Sequence, residues 1–170
     1  MNSNWRKRIA KSVREGARDE ALKLLQESTE HETVRNLCVP LFGSYKYQKI
    51  RQSNLTFEDA VVEGSMSLLD VAAGNGWVDV CEELVTKHGC THEVRTVTKI
   101  LQPVGENVSL QCSPLSYAVR EGHVDVVAYL VRAFELQISD DEASRALLAL
   151  AIIHGRLEMV KHLITVCKTR

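Results

Sequence analysis

The residues best equipped for chemistry sit together near the middle of the chain. His88-Gly-Cys90-Thr-His92, with Cys112 further along the same stretch, offers imidazole nitrogen and thiolate sulfur, the mixture zinc takes in tetrahedral sites. The spacing is not that of a known zinc module. A turn with a histidine at a helix end, where its charge suits the helix dipole, and a partly buried thiol account for the same residues. We read them that way, with a metal-binding loop over residues 88–112 as the lesser alternative. Nucleophilic catalysis needs a Ser or Cys beside a base, itself held by a third group, and no G-x-S-x-G or comparable elbow occurs. Neither G-x-x-x-x-G-K-[ST] nor G-x-G-x-x-G is present, so no loop is built to cradle phosphate. The expectation is a protein that is not an enzyme, with no catalytic residues, no cofactor and no metal.

Composition limits the partners. Lys plus Arg number 21 and Asp plus Glu 22, and a formal net charge of -1 provides no field to draw the chain onto nucleic acid or an anionic membrane. No stretch is long and apolar enough to span a bilayer, and the basic start at Arg6-Lys-Arg8 is not followed by the apolar run of a secretory signal. That start, offset at once by Glu15, Asp19 and Glu20, reads as the solvated face of a terminal helix. Five cysteines, odd in number and without a C-x-x-C pair, point to reduced thiols and a cytoplasmic protein, with the nucleus also open to it. The sequons at Asn54 and Asn107 would matter only in a secreted chain. Cys81 and Cys167 fall at apolar helix positions, where a thiol behaves as a small hydrophobe.

The elements repeat. Ser67 to Val85, Ser113 to Val131 and Ala146 to Ile164 carry one punctuation: an apolar pair, a glycine, then apolar residues at three- and four-residue spacing. Ser12-Val-Arg-Glu-Gly16, followed by Ala21 and Leu24-Leu25, is a weaker fourth copy. Each copy makes sense as two helices back to back, with Gly16, Gly76, Gly122 and Gly155 supplying the left-handed turn between them. Ala72, Ala73, Ala118 and Ala151 let the first helices approach closely, and Leu84, Leu130 and Leu163 fill the space between second helices. One copy alone cannot bury both faces, so stability must come from stacking.

The middle copy, Ser113-Pro-Leu-Ser-x-Ala-x-x-x-Gly-His-x-Asp-Val-Val-x-x-Leu-Val, resembles the ankyrin repeat, and Gly122 and Gly155 stand one ankyrin period of 33 apart. The resemblance implies an all-α solenoid of about four helix-turn-helix repeats in a single domain over 1–170, with repeats at about 4–28, 66–90, 112–135 and 145–168. The longer gaps between the earlier glycines place insertions at about 29–65 and 91–111, where the family has its finger loops. Val94 to Leu101 and Asn107 to Gln111, flanking Pro103-Val-Gly-Glu, read as an extended hairpin, and Val94, Val97, Ile100 and Leu110 would give it apolar surface. The first insertion reads as another hairpin or a short helix. Thr-Pro is missing ahead of Gly76 and Gly155, which predicts looser starts for those repeats. For the last, Ser139-Asp-Asp-Glu142 reads as a capping box opening a helix over about 140–153. Trp5 and Trp77 read equally as partner anchors or as covers over repeat junctions.

The resemblance also implies a function: binding another protein on the concave side, formed by finger tips and the exposed face of the first helices. Transferred by position, that side comprises Lys11, Arg14 and Glu15; Val71, Gly74 and Asn75; Tyr117, Arg120 and Glu121; and Leu150, Ile153 and His154. Tyr117 and Arg120, of the types that dominate interface energetics, are expected to anchor the partner with little effect on stability when truncated. The alternative is a structural repeat segment of a larger protein. The apolar outer side of the last helix, at Met159, Val160 and Leu163, suggests either a longer array, with further repeats or domains of the same chain, or a terminal face that docks on something. Should the 88–112 residues be structural, thermal melts with and without added zinc will coincide, and a zinc-induced rise in melting temperature would restore the metal reading.

Overall fold

The structure, a computed structural model, describes residues 3–51, 54–101, 106–139 and 141–168, with side chains described for these apart from 3, 14, 39–64, 95–111 and 167–168. Among the described residues four helix pairs follow one another: α1 (Ser3–Arg14) with α2 (Arg18–Glu27), α4 (Leu68–Gly74) with α5 (Val78–Thr86), α6 (Pro114–Glu121) with α7 (Val124–Ala133), and α8 (Glu142–Ile153) with α9 (Leu157–Lys168). A short helix, α3 (His31–Arg35), and four strands, β1 (Cys38–Arg51), β2 (Asn54–Ser67), β3 (Arg95–Leu101) and β4 (Glu106–Cys112), lie in the insertions. First helices stack on first helices and second on second: α4 meets α1 and α6, α6 meets α8, α5 meets α2 and α7, and α7 meets α9. No helix among the described residues is long and apolar enough to cross a membrane.

The turn between paired helices is the same in every repeat. Gly16, Gly76, Gly122 and Gly155 have φ of 73°, 76°, 87° and 66°, the left-handed region where a Cβ is strained. This conformation turns the next N–H back onto the carbonyl four residues before the glycine. Ala17 N donates to Ser12 O at 2.8 Å, Trp77 N to Ala72 O at 3.0 Å, His123 N to Ala118 O at 2.9 Å and Arg156 N to Ala151 O at 2.8 Å. Each bond closes on a carbonyl of the last helical turn, and at Ala118 that carbonyl accepts from Gly122 N–H as well.

The residue after the glycine then reaches the preceding repeat. His123 Nε2 donates to Gly74 O at 3.1 Å, and Arg156 Nε donates to Arg120 O at 2.8 Å. Both carbonyls stand two residues before the preceding turn glycine, so neighbouring repeats are latched in register. Trp77, at the same position in its repeat, is buried and covers a junction, and Trp5 donates its indole N–H to Leu24 O at 3.2 Å. The core runs the length of the stack through Leu24, Leu69, Leu84, Val119, Leu130 and Leu163, with Ala72, Ala73, Ala118 and Ala151 buried where first helices approach. Burying each large aliphatic side chain contributes about 1.5–3 kcal/mol. Cys81 is buried among them, and burial pushes its thiol up to about 12, which keeps it protonated. Cys167 lies outside the described side chains.

Two expectations about repeat starts need correction. The repeat ahead of Gly76 does not start loosely: Ser67 caps α4, accepting from Asp70 N at 3.1 Å while Asp70 Oδ2 accepts from Ser67 N at 2.7 Å. A serine with an aspartate three residues on gives the same reciprocal cap as Ser113 and Ser116 give α6, without proline. In the last repeat the cap is Asp141 rather than Ser139. Its carboxylate accepts from Ser144 N at 2.7 Å and from the Ser139 hydroxyl at 2.9 Å, so α8 begins at Glu142. A charged acceptor two residues closer to the apolar run displaces the hydroxyl.

The second insertion is a hairpin, with Arg95↔Cys112 through Leu101↔Glu106 in antiparallel register. The first insertion holds both the short helix and a hairpin, which pairs over its whole length from Cys38↔Ser67 to Arg51↔Asn54. Ala60 to Glu63 of β2 also pair with Leu101 to Thr98 of β3, so the fingers join in one four-stranded antiparallel sheet. The long insertion makes this union accessible, since β2 is twice the length of β3.

The turn geometry ranks the glycines. A Cβ at Gly76 would lie 2.7 Å from His123 Nδ1 and drive the ring off Gly74 O, whereas one at Gly122 would meet the flexible Arg156 Cδ at 3.0 Å and one at Gly16 or Gly155 would meet nothing within 4 Å. Gly16→Ala and Gly155→Ala are expected to cost about 1–2 kcal/mol through φ alone, and Gly76→Ala at least about 1 kcal/mol more through the lost hydrogen bond. Gly122→Ala falls between them, and Gly122→Val exceeds it. Urea unfolding of the series checks the order, and equal losses at Gly76 and Gly16 would contradict the latch.

Candidate protein-binding surface

Three positions per repeat, five, two and one residues before the turn glycine, line one side of the stacked first helices. In α1 these are Lys11, Arg14 and the adjoining Glu15. Lys11 and Glu15 are exposed and pair at 3.9 Å, while the side chain of Arg14 lies outside the described residues. In the second repeat Val71 is half-buried, and the exposed Asn75 donates its amide to Val71 O at 2.9 Å, closing the end of α4. In the last repeat Leu150 is half-buried, His154 is exposed and Ile153 is 78% exposed.

The third repeat holds the organised part of the surface. Arg120 lies over the Tyr117 ring, 5.0 Å from its centroid, and donates from Nε to Glu121 Oε1 at 2.7 Å. The other carboxylate oxygen, Oε2, accepts from Arg156 Nη2 at 3.2 Å, while Arg156 also holds the Arg120 carbonyl. A guanidinium stacked on an aromatic face and fixed by a carboxylate loses little freedom when it meets a partner group. Arg156 was not among the residues assigned from sequence, although its position after Gly155 matches that of His123 after Gly122.

Tyr117 requires correction. It is 4% exposed, and its hydroxyl is in hydrogen-bonding contact with the Cys112 thiol where β4 returns to the helices. Burial pushes both the phenol and the thiol above their ordinary values, so both stay neutral. The ring is therefore a platform for Arg120 and not a free anchor. Helical spacing places Tyr117 on the open side, and only the path of the inserted finger shows that the side is covered there. Val94 at the finger base is exposed, and Val97, Ile100 and Leu110 lie outside the described side chains.

The His88 to Cys112 residues are engaged separately. His88 is buried and carries its proton on Nε2, since that nitrogen faces Leu25 O at 3.1 Å. Its Nδ1 therefore accepts from His31 Nδ1, 3.1 Å away on α3, and Lys87 reaches Leu25 O and Gln26 O at the same end of α2. The expected charged histidine at the end of its own helix is thus a neutral one that closes the end of its neighbour. His92 stacks at 5.8 Å from Phe134, Cys90 is buried and Cys112 is against Tyr117. Among the described residues no group of three His, Cys, Asp or Glu side chains is placed to hold a metal ion.

Repeats one and two are also joined by Arg18, whose Nε and Nη2 contact Asp79 Oδ1 and Oδ2 at 3.0 and 2.7 Å. This exposed pair contributes up to about 1 kcal/mol.

Comparison with known families gives a match to the family model described as ankyrin repeats (3 copies), over residues 71–169, more than half of the chain. No curated protein matches the sequence.

Two outcomes follow from this geometry. Burial, the largest cause, holds both His88 and His92 below their ordinary value of 6.5, so the folded state binds fewer protons than the unfolded one just below that pH. Their contribution is complete above about pH 6.5 and is lost as pH falls through it. Urea midpoints at pH 7.5 and 5.5 are expected to show lower stability at 5.5, and His88→Asn to flatten the difference; a midpoint independent of pH would contradict the neutral pair. Tyr117→Ala is expected to destabilise by about 3 kcal/mol through the cavity it leaves, and Tyr117→Phe by about 1 kcal/mol. Melting temperatures unchanged in both would return Tyr117 to the open surface.

Proposed function

This chain belongs to the ankyrin repeat family, and on that premise we propose that it binds a partner protein through the concave side of the stack, without catalysing a reaction. Ankyrin repeats are generally protein–protein interaction modules, and the family is typically non-catalytic. The observation that carries the reading is the Arg120–Glu121–Arg156 group: half-exposed, spanning two repeats and ordered on the Tyr117 ring before any partner arrives. Arginine held in this way is a common source of interface energy. Around it, Asn75, Lys11 and Glu15 offer polar contacts and Leu150 and Ile153 apolar ones, so the surface grades from charged to apolar along the stack. The near-neutral charge argues against nucleic acid as the partner. We take residues 1–170 as one repeat domain, and an odd number of cysteines without a C-x-x-C pair suits the cytoplasm or nucleus.

The test compares proximity labelling and pull-down by the wild type, Arg120→Ala and, on the opposite side of the last repeat, Lys161→Ala. Partners retained by the wild type and by Lys161→Ala are expected to be lost by Arg120→Ala. The affinity of a purified partner should fall by about 1–3 kcal/mol, with the melting temperature nearly unchanged. An affinity unaffected by Arg120→Ala would overturn the assignment.

A further inference from the structure

Two guanidinium groups on the third repeat's surface share a single carboxylate. Glu121 Oε1 accepts from Arg120 Nε at 2.7 Å and Oε2 from Arg156 Nη2 at 3.2 Å, and Arg156 Nε is taken by the Arg120 carbonyl at 2.8 Å. Arg120 Nη1 and Nη2 and Arg156 Nη1 have no acceptor among the described residues, and the two side chains are 40% and 39% exposed. Asp70, the other carboxylate whose charge reaches Tyr117, is buried and accepts from Ser67 N and Oγ at 2.7 and 2.8 Å, so it is not offered to a partner. Two cations against one anion leave this group with one positive charge.

The geometry says which anion suits it. Arg120 lies over the Tyr117 ring and is held at Nε, which leaves its Nη1–Nη2 end free, the two-pronged donor that meets both oxygens of a carboxylate. One carboxylate balances one charge, whereas a phosphate group, at about -1.5 to -2, would leave an excess of negative charge there. The approach is open on the amino side: Gly74, at the place of Arg120 in the preceding repeat, has no side chain, and a Cβ there would be 3.6 Å from Tyr117 Cβ. In the following repeat the same place is Ile153, 78% exposed, with the half-buried Leu150 one turn before it. First helices of neighbouring repeats pack about 8–10 Å apart. A polyproline-II-like segment rises about 3.1 Å per residue and returns to the same side every third residue, so two side chains on that side are about 9 Å apart.

We infer that the concave side takes an extended acidic segment of its partner protein. An Asp or Glu engages the free end of Arg120, and a large apolar residue three positions away, in either direction, lies on Ile153 and Leu150. This rests on the partner-binding role proposed for that side and adds the chemistry of the partner. At a half-exposed site the ion pair selects more than it strengthens, so the apolar contact supplies much of the affinity.

The test is selection of a random library of about twelve-residue peptides, displayed on phage, against the full chain, with enriched sequences then measured as free synthetic peptides by fluorescence anisotropy. Enrichment of Asp or Glu three positions from Leu, Ile, Phe or Met is expected. Asp→Asn or Glu→Gln in the peptide should weaken binding to the wild-type chain about tenfold or more, a reading independent of how any variant folds. Arg120→Lys keeps the charge, loses the two-pronged end and should cost about three- to tenfold. Ile153→Ser should cost about tenfold, and Lys161→Ala nothing. Peptides that require Arg120 yet carry no carboxylate would overturn the acidic partner and keep the concave side as the binding surface. Enriched peptides indifferent to Arg120→Ala would overturn both readings. Indifference to Ile153→Ser, or no enrichment at all, would overturn this inference alone.

Discussion

The architecture depends on a left-handed residue at four places. With φ positive at the turn, the following N–H closes on the carbonyl of an alanine or serine four residues before the glycine, and two helices are folded back within two or three residues of linker. The same geometry aims the next side chain at the previous repeat. His123 and Arg156 differ in every chemical respect save that each offers an N–H at the right reach, and each takes the carbonyl two residues ahead of the neighbouring glycine. Local backbone chemistry thus sets intermolecular-style recognition between repeats, and the apolar rows fill behind it.

Much of this was legible in the sequence because the signals are local and periodic. Glycine spacing gave the turns, small residues gave the close approaches, and β-branched alternation around Pro103 gave the second finger. What escaped depends on chain paths that periodicity does not encode. Tyr117 is on the open side by helical angle, yet the strand ending at Cys112 lies over it. The Ser139 cap was displaced because the Asp141 carboxylate, a charged acceptor nearer the apolar run, caps Ser144 N–H and takes the Ser139 hydroxyl as a donor. The joining of the fingers pairs residues from separate insertions, and His31 with His88 brings together an insertion and a helix end far apart in sequence.

The candidate surface shows the same division. Its residues could be enumerated from the turn glycines, and the structure places most of them at exposed or half-exposed positions of the first helices. Which of them carry order could not be read, because that follows from contacts across a repeat boundary. Arg156 belongs to the last repeat by sequence and to the third repeat's surface by contact. In a stacked protein, the chemistry of one repeat is completed by the next, and a site described repeat by repeat loses the groups that fix it.

The shared sheet has a mechanical meaning. A stack of helix pairs joined only by nearest-neighbour contacts behaves as a spring, in which small rotations at each junction add up to large changes of curvature. Here two fingers from successive junctions are stitched together at Ala60–Glu63 and Thr98–Leu101. Bending the first three repeats towards or away from the fingers would have to slide one strand past the other and break that short ladder. The strands therefore act as a strut across one side of the spring, and the last junction, with no strand among its described residues, has no such brace.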